Sequence, residues 1–180
     1  MNAPRPRRAV FLDRDGVLIR PIIRDGKPYS AVGPEDVHII EGVPEACAEL
    51  SGFGFLLIMV TNQPDIARGK VSREFVDETN AALAKALGLD GVELCPHDNA
   101  DECACRKPKP GLMIQAADRL GIDLASSVMV GDRWRDIEAG RRAGCRTVFV
   151  DYGYDEALEE QPDHIAASLS AAVGWIRGNV

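Results

Sequence analysis

Ala9-Val10-Phe11-Leu12-Asp13-Arg14-Asp15-Gly16 is an apolar run that stops abruptly at charged residues and a glycine. Consecutive apolar residues bounded in this way read as a strand buried on both faces, as in a parallel sheet. The pattern recurs along the chain. Phe55-Leu56-Leu57-Ile58-Met59-Val60 ends in Thr61-Asn62-Gln63, Val128-Met129-Val130 ends in Gly131-Asp132, and Thr147-Val148-Phe149-Val150 ends in Asp151. A weaker strand is expected over 92–94. Helical patterns occupy 42–50, 73–87, 111–120, 133–143 and 168–176. In the second of these Val76, Thr79, Leu83 and Leu87 share one face, with Ser72 as N-cap and Gly88 as C-cap; Gly144 closes the fourth. Alternating strands and helices predict an α/β fold, a single Rossmann-like, doubly wound parallel sheet. Sheets of that kind bind ligands beyond the carboxyl ends of their strands. Asp13, Asp15, Thr61 and Asp132 all fall there.

Composition bounds the rest. The 180 residues are 46% hydrophobic and 27% charged, as in ordinary globular proteins, and carry a formal net charge of -7. An acidic chain has no general attraction for nucleic acid or anionic membrane, so an anionic substrate needs a local basic cluster. The basic start (Arg5, Arg7, Arg8) precedes a run too short for a signal peptide, and no apolar run approaches ~20 residues. A cytoplasmic protein is expected, with one domain over 1–180, because no repeat, low-complexity tract or linker divides the chain.

Phosphate-ester cleavage through an enzyme-bound intermediate needs a carboxylate nucleophile, an acid that can later act as a base, and cations to offset the repulsion between anions. Asp13-Arg14-Asp15-Gly16 offers the first two roles, with Gly16 permitting the tight turn. Taken alone, each element has a plainer reading: a turn for the acidic pair, a loop hydroxyl for Thr61, a solvated charge for Lys107 and a helix-capping residue for Asp132.

The cysteines divide into two groups. Cys47 and Cys145 stand alone in apolar, helix-like surroundings and read as buried, inert thiols. Cys95-Pro96-His97 and Cys103-Ala104-Cys105 place three soft thiolates and an imidazole within one short loop, 95–105. That donor set suits a closed, structural Zn2+ site, with a redox pair or simple reduced thiols as the alternative.

Together these residues resemble the haloacid dehalogenase (HAD) superfamily of phosphohydrolases. Asp13-Arg14-Asp15-Gly16 matches its DxDG signature, Thr61 its second motif, Lys107 its third and Asp132 its fourth, in the family's order over roughly residues 8 to 153. The resemblance implies that Asp13 is the nucleophile and Asp15 the acid/base, while Thr61 and Lys107 hold the phosphoryl group. It implies Mg2+ on Asp13, the Asp15 backbone carbonyl and Asp132. Asp136 could steady a metal-bound water or be a plain surface acid. A zinc loop would then position the third-motif lysine.

Within the superfamily the zinc loop is similar to two subgroups, the D-glycero-D-manno-heptose-1,7-bisphosphate 7-phosphatases of heptose and lipopolysaccharide biosynthesis and the histidinol-phosphate phosphatases. Thr61-Asn62-Gln63 with Ile66-Ala67-Arg68-Gly69, the Arg106-Lys107-Pro108-Lys109-Pro110-Gly111 run and Val130-Gly131-Asp132 look more like the former. The short gap between His97 and Cys103 looks more like the latter, and Pro64-Asp65 departs from the heptose pattern. The likeness implies substrate contacts from Asn62, Gln63, Arg106 and Lys107.

The stretches between Asp15 and Thr61 and between Thr61 and Lys107 leave no room for a cap domain. An open site rimmed by residues 20–30 is expected, with Arg24 and Lys27 either meeting a second phosphate or remaining solvated. Two other classes make distinct demands. A zinc-stabilised binding module would lack one of Asp13, Asp15, Lys107 or Asp132, and a nucleic-acid end phosphatase would show a basic stripe. A monomer acting on a small sugar phosphate, without nucleic acid or membrane, fits the sequence best.

Overall fold

A computed structural model describes residues 6–180, so Arg5 lies outside the described part. The chain runs β1 (Ala9–Leu12), β2 (Ile22–Arg24), β3 (Lys27–Tyr29), α1 (Val43–Gly52), β4 (Leu56–Asn62), α2 (Arg73–Leu87) and β5 (Gly91–Cys95). It continues through α3 (Gly111–Leu120), β6 (Val128–Gly131), α4 (Trp134–Ala143), β7 (Arg146–Val150), β8 (His164–Ala166) and α5 (Leu169–Asn179). Six strands form one sheet in the order β5-β4-β1-β6-β7-β8, and every pairing within it is parallel.

Strand alternation divides the core into two layers. Val10 and Leu12 of β1, with Leu57 and Met59 of β4, face one cluster that holds Leu50 of α1, Leu83 of α2 and Ile176 of α5. Ala9 and Phe11, with Ile58 and Val60, face the other, built on Leu112, Met113 and Ala116 of α3 and Ala139 of α4. Each β1 side chain is fully buried, which is why that strand carries no polar residue until the sheet ends. Ser72 caps α2 by accepting from the Phe75 amide at 3.1 Å, and Gly88 closes it with φ +64°.

The chain order places the site. After β1 it moves outward through β4 and β5, then returns over α3 to start the other half at β6. The ends of β4, β1 and β6 are therefore neighbours around the reversal of strand order, the place where doubly wound sheets open a crevice. Between β1 and β4 the chain holds only the β2–β3 hairpin, a short 3-10 turn (Pro34–Asp36) and α1, so no cap domain is inserted there.

Some elements differ from the sequence expectation. The rim segment 20–30, for which no strand is expected, holds a two-stranded antiparallel hairpin. β8 was not anticipated, because three residues at a sheet edge carry no periodic signal. The strand expected at 92–94 extends to Cys95, and the last helix extends to Asn179. Cys47 and Cys145 are buried free thiols, as expected.

Candidate active site

Asp13 follows β1 directly, and its amide donates to the Val130 carbonyl of β6 at 3.0 Å, which pins the start of the turn between two strand ends. Gly16 continues that turn with φ +86°, a conformation that disfavours any side chain. Lys107 Nζ lies 2.9 Å from Asp13 Oδ1, 2.7 Å from Asp136 Oδ1 and 2.8 Å from the Val60 carbonyl. The ammonium thus has three acceptors for its three protons and is almost fully buried. Its backbone is held as firmly. Asn62 Nδ2 donates to the Lys107 carbonyl at 3.0 Å, and Asn62 Oδ1 accepts from the Lys107 amide at 3.1 Å.

Asp13, Asp132 and Asp136 bring carboxylate oxygens within 4.8 Å of one another, and all three residues are buried. One lysine against three carboxylates leaves the cluster two charges negative when all are ionised. Burial, reinforced by Asp136, raises the Asp13 carboxyl to about 7 in spite of Lys107. Burial and the Asp13 charge push Asp132 up as well. Asp132 Oδ2 accepts from the Tyr154 hydroxyl at 2.7 Å, whereas its buried Oδ1 finds no partner among the described residues. A surplus of buried negative charge with an orphaned oxygen is the donor set a hard dication satisfies.

Asp15 lines the same cleft. Its carboxylate accepts from Arg14 Nε at 3.1 Å and from Gln63 Nε2 at 3.0 Å. Arg14 has no exposed surface, and its Nη1 donates to Asn80 Oδ1 of α2 at 3.2 Å. Gln63 Nε2 also donates to Thr61 Oγ1 at 2.9 Å, an arrangement that leaves the Thr61 hydroxyl proton available.

The cleft has a volume of about 250 Å³ and is walled by Asp13, Asp15, Lys107 and Asp132 within and by Pro28, Tyr29 and Ser30 of the hairpin outside. Arg106 lines it, with Nε donating to Asn99 Oδ1 at 2.8 Å and Nη1 to the His97 carbonyl at 3.3 Å. The guanidinium is therefore tied to the Cys95–Cys105 loop.

A search among known proteins places this geometry. Residues 104–172 match the HAD-hydrolase-like family. The D-glycero-beta-D-manno-heptose-1,7-bisphosphate 7-phosphatase of Vibrio cholerae is 45% identical over 172 residues, spanning 88% of each chain. The chain belongs to the HAD-like phosphatase family. A second relative, the D-glycero-D-manno-heptose-1,7-bisphosphate 7-phosphatase of Thermosynechococcus vestitus, is 37% identical over 194 residues, covering 95% of this chain and 96% of that one. The solved D,D-heptose 1,7-bisphosphate phosphatase from B. bronchiseptica, complexed with magnesium and phosphate, superposes with a TM-score of 0.80 at 30% identity, over 96% of this chain and 99% of that one.

This HAD-like phosphatase also gathers its four loop donors at one point. Cys95 Sγ lies 3.1 Å from Cys105 Sγ and 3.7 Å from Cys103 Sγ, and His97 Nδ1 lies 3.3 Å from Cys105 Sγ. A tetrahedron drawn around metal–sulfur bonds of 2.3 Å has edges of about 3.8 Å, so the cluster already approximates that shape. The thiols are free, far outside disulfide distance.

The structure places the remaining residues named from the sequence as follows. Gln63 was expected to touch substrate, yet its side chain is buried beneath Asp15 and Thr61, which its amide orients. Asn62 reaches the cleft, but both ends of its amide are spent on the Lys107 backbone. Asp136 is 1% exposed and paired with Lys107, which removes the surface-acid reading. Arg24 and Lys27 are exposed on the hairpin and do not line the cleft. Tyr154, Asn80 and Arg135 were not anticipated. Tyr154 and Asn80 come from distant segments with no motif around them, while Arg135 stands in the stretch that follows Asp132.

Proposed function

We propose that this phosphatase is a magnesium-dependent phosphomonoesterase that removes the 7-phosphate of D-glycero-D-manno-heptose 1,7-bisphosphate through an aspartyl-phosphate on Asp13. The observation that carries the chemistry is the buried cluster of Asp13, Asp132 and Asp136 around Lys107 at the strand ends. The substrate is supported by the relatives named above, at 45% and 37% identity over most of both chains.

In this reading Asp13 Oδ attacks phosphorus in line with the departing sugar oxygen, and a P–O bond to Asp13 forms as the ester bond breaks. Asp15, held by Arg14 and Gln63, gives its proton to the leaving alkoxide and then takes one from the water that cleaves the aspartyl-phosphate. Thr61 donates a hydrogen bond to the phosphoryl oxygens, and Lys107 offsets their charge. Asn62 keeps Lys107 in place, and Arg106 recognises the substrate's oxyanions with its planar fork. Asp13, the Asp15 backbone carbonyl and Asp132 would hold Mg2+, which supplies the charge that lets an anionic nucleophile approach an anionic phosphate. Cys95, His97, Cys103 and Cys105 would hold a structural Zn2+, bracing the loop that continues directly into Arg106 and Lys107. One domain over 1–180, working as a cytoplasmic monomer on a small sugar phosphate, completes the reading. Among the described residues no helix is long and apolar enough to cross a membrane.

The test compares kcat/KM for both anomers of the heptose bisphosphate with kcat/KM for histidinol phosphate. Preference for a heptose anomer is expected, and preference for histidinol phosphate overturns the substrate. In parallel, Asp13→Asn should abolish turnover while the circular dichroism spectrum is retained; sustained turnover would refute the nucleophile.

A further inference from the structure

Arg135 sits in the first turn of α4, where the helix dipole disfavours a cation. It lines the cleft together with Asp13 and Lys107. Partial burial, with Arg106 and Arg133 close by, makes its positive charge harder to hold. Glu156 and Asp136 offset this in part, without pairing directly with the guanidinium. Among the described residues Arg135 has no ion pair, and its Nε is closed off from solvent with no acceptor. The other cleft arginines differ. Arg68 is bound by Asp98 and Asp65, Arg133 by Glu156 and Arg106 by neutral loop oxygens. The guanidinium lies over the Trp134 ring at 5.1 Å, a contact that fixes its position without consuming a donor.

Location separates this group from the transferring phosphoryl. Arg135 and Arg106 also border an adjoining hollow of about 280 Å³ that Lys107, Lys109 and Arg142 line with Asp98 and Glu102, and that neither Asp13 nor Asp132 reaches. The two arginines therefore stand where the cleft meets a hollow whose basic side chains outnumber its acidic ones, on a chain of net charge -7.

We propose that Arg135 is a specificity-determining residue whose counter-ion is a second anionic group of the substrate, a phosphate held away from Asp13 while the first is cleaved. This rests on the phosphatase reading above and deepens it: the site is built for a bis-phosphorylated sugar. A phosphate oxygen pair matches the two terminal nitrogens of an arginine that has no ion pair, and binding it relieves the repulsion from Arg106 and Arg133.

The experiment measures kcat/KM for bisphosphate and monophosphate pairs (heptose 1,7-bisphosphate with heptose 7-phosphate, fructose 1,6-bisphosphate with fructose 6-phosphate) in the wild type, Arg135→Gln and Arg135→Lys. The bisphosphate-to-monophosphate ratio should fall about 10- to 100-fold in Arg135→Gln. Arg135→Lys should recover part of it, as a point charge without the fork. Melting temperature should change little in either variant, since no ion pair is lost and only the contact with the Trp134 ring is weakened. An unchanged ratio, or equal losses on both members of a pair, overturns the role of Arg135. A wild type that prefers histidinol phosphate yet loses its bisphosphate ratio in Arg135→Gln overturns the heptose substrate and leaves Arg135 standing. A wild type indifferent to the second phosphate overturns the Arg135 proposal and leaves the phosphatase chemistry intact.

Discussion

Replacing Gly16 with alanine puts a methyl group on a backbone at φ +86°, where an ideal Cβ lies 2.0 Å from Asp132 Oδ2 and 2.3 Å from its Cγ. The left-handed backbone alone costs a non-glycine residue about 1–2 kcal/mol. The clash is the larger effect. Ordinary non-bonded contact needs about 3.5 Å, so the turn or the carboxylate must give way by more than about 1 Å. Asp132 has little freedom, being 2% exposed with its Oδ2 held by Tyr154 at 2.7 Å. The turn is tied as well, through the Gly16 amide to the Ile19 carbonyl at 2.8 Å. Either yielding misplaces Asp13 and Asp15 against Asp132, and an error of about 1 Å in a reacting constellation lowers turnover roughly 100-fold. Gly88→Ala is the control, because Gly88 has φ +64° but no heavy atom within 4 Å of the new methyl. Both variants should lose about 1–2 kcal/mol in urea unfolding from the backbone alone. Only Gly16→Ala should lose kcat at saturating Mg2+ and bind Mg2+ weakly by calorimetry. If Gly16→Ala keeps kcat within about threefold of wild type, the close approach of the turn to Asp132 plays no part in catalysis.

Other perturbations separate the two metals and the buried charges. Tyr154→Phe removes the hydroxyl that orients Asp132, so Mg2+ affinity measured by calorimetry should fall about 10-fold; unaltered affinity would show that the contact is incidental. Stripping the Cys95–His97–Cys103–Cys105 site with a chelator should lower the melting temperature and reduce kcat, because the loop runs into Lys107; protein that purifies without zinc refutes the site. In metal-free protein the Asp13 carboxyl titrates at about 7, against 3.8 unfolded, so between those values the folded state holds a proton that the unfolded state has lost. Stability should therefore drop as pH rises across that window, by on the order of 2–4 kcal/mol, and level off above it. Saturating Mg2+ should flatten this slope, and an equal slope with and without Mg2+ would contradict the proposed metal position.

How far the sequence can be read depends on whether a residue's role is local. β1, β4, β6 and β7 were legible because strands buried on both faces must be continuously apolar and must stop where the sheet does. The same rule places Asp13, Thr61 and Asp132 at one end of the sheet. The zinc-type cluster was legible because its four donors lie within one loop. The partners of Gln63 were not legible: it lies on the same face as Thr61, two residues away, but its hydrogen bond to Asp15 joins segments far apart in the chain. The β2–β3 hairpin and β8 escaped because short edge strands carry too few residues for a periodic signal.

The sequence by itself determined the fold class, the order of the strands along the chain and the identity of the acids and the lysine offered to the site, since each follows from hydrophobic continuity and motif spacing. Tertiary structure decided the electrostatics. Only the folded chain shows that Asp136 shares Lys107 with Asp13, that Tyr154 returns from beyond β7 to hold Asp132, and that among the described residues Arg135 Nε finds no acceptor. Charge pairing depends on distance and burial in three dimensions, and residues far apart in the chain carry no sequence record of which partner they will meet.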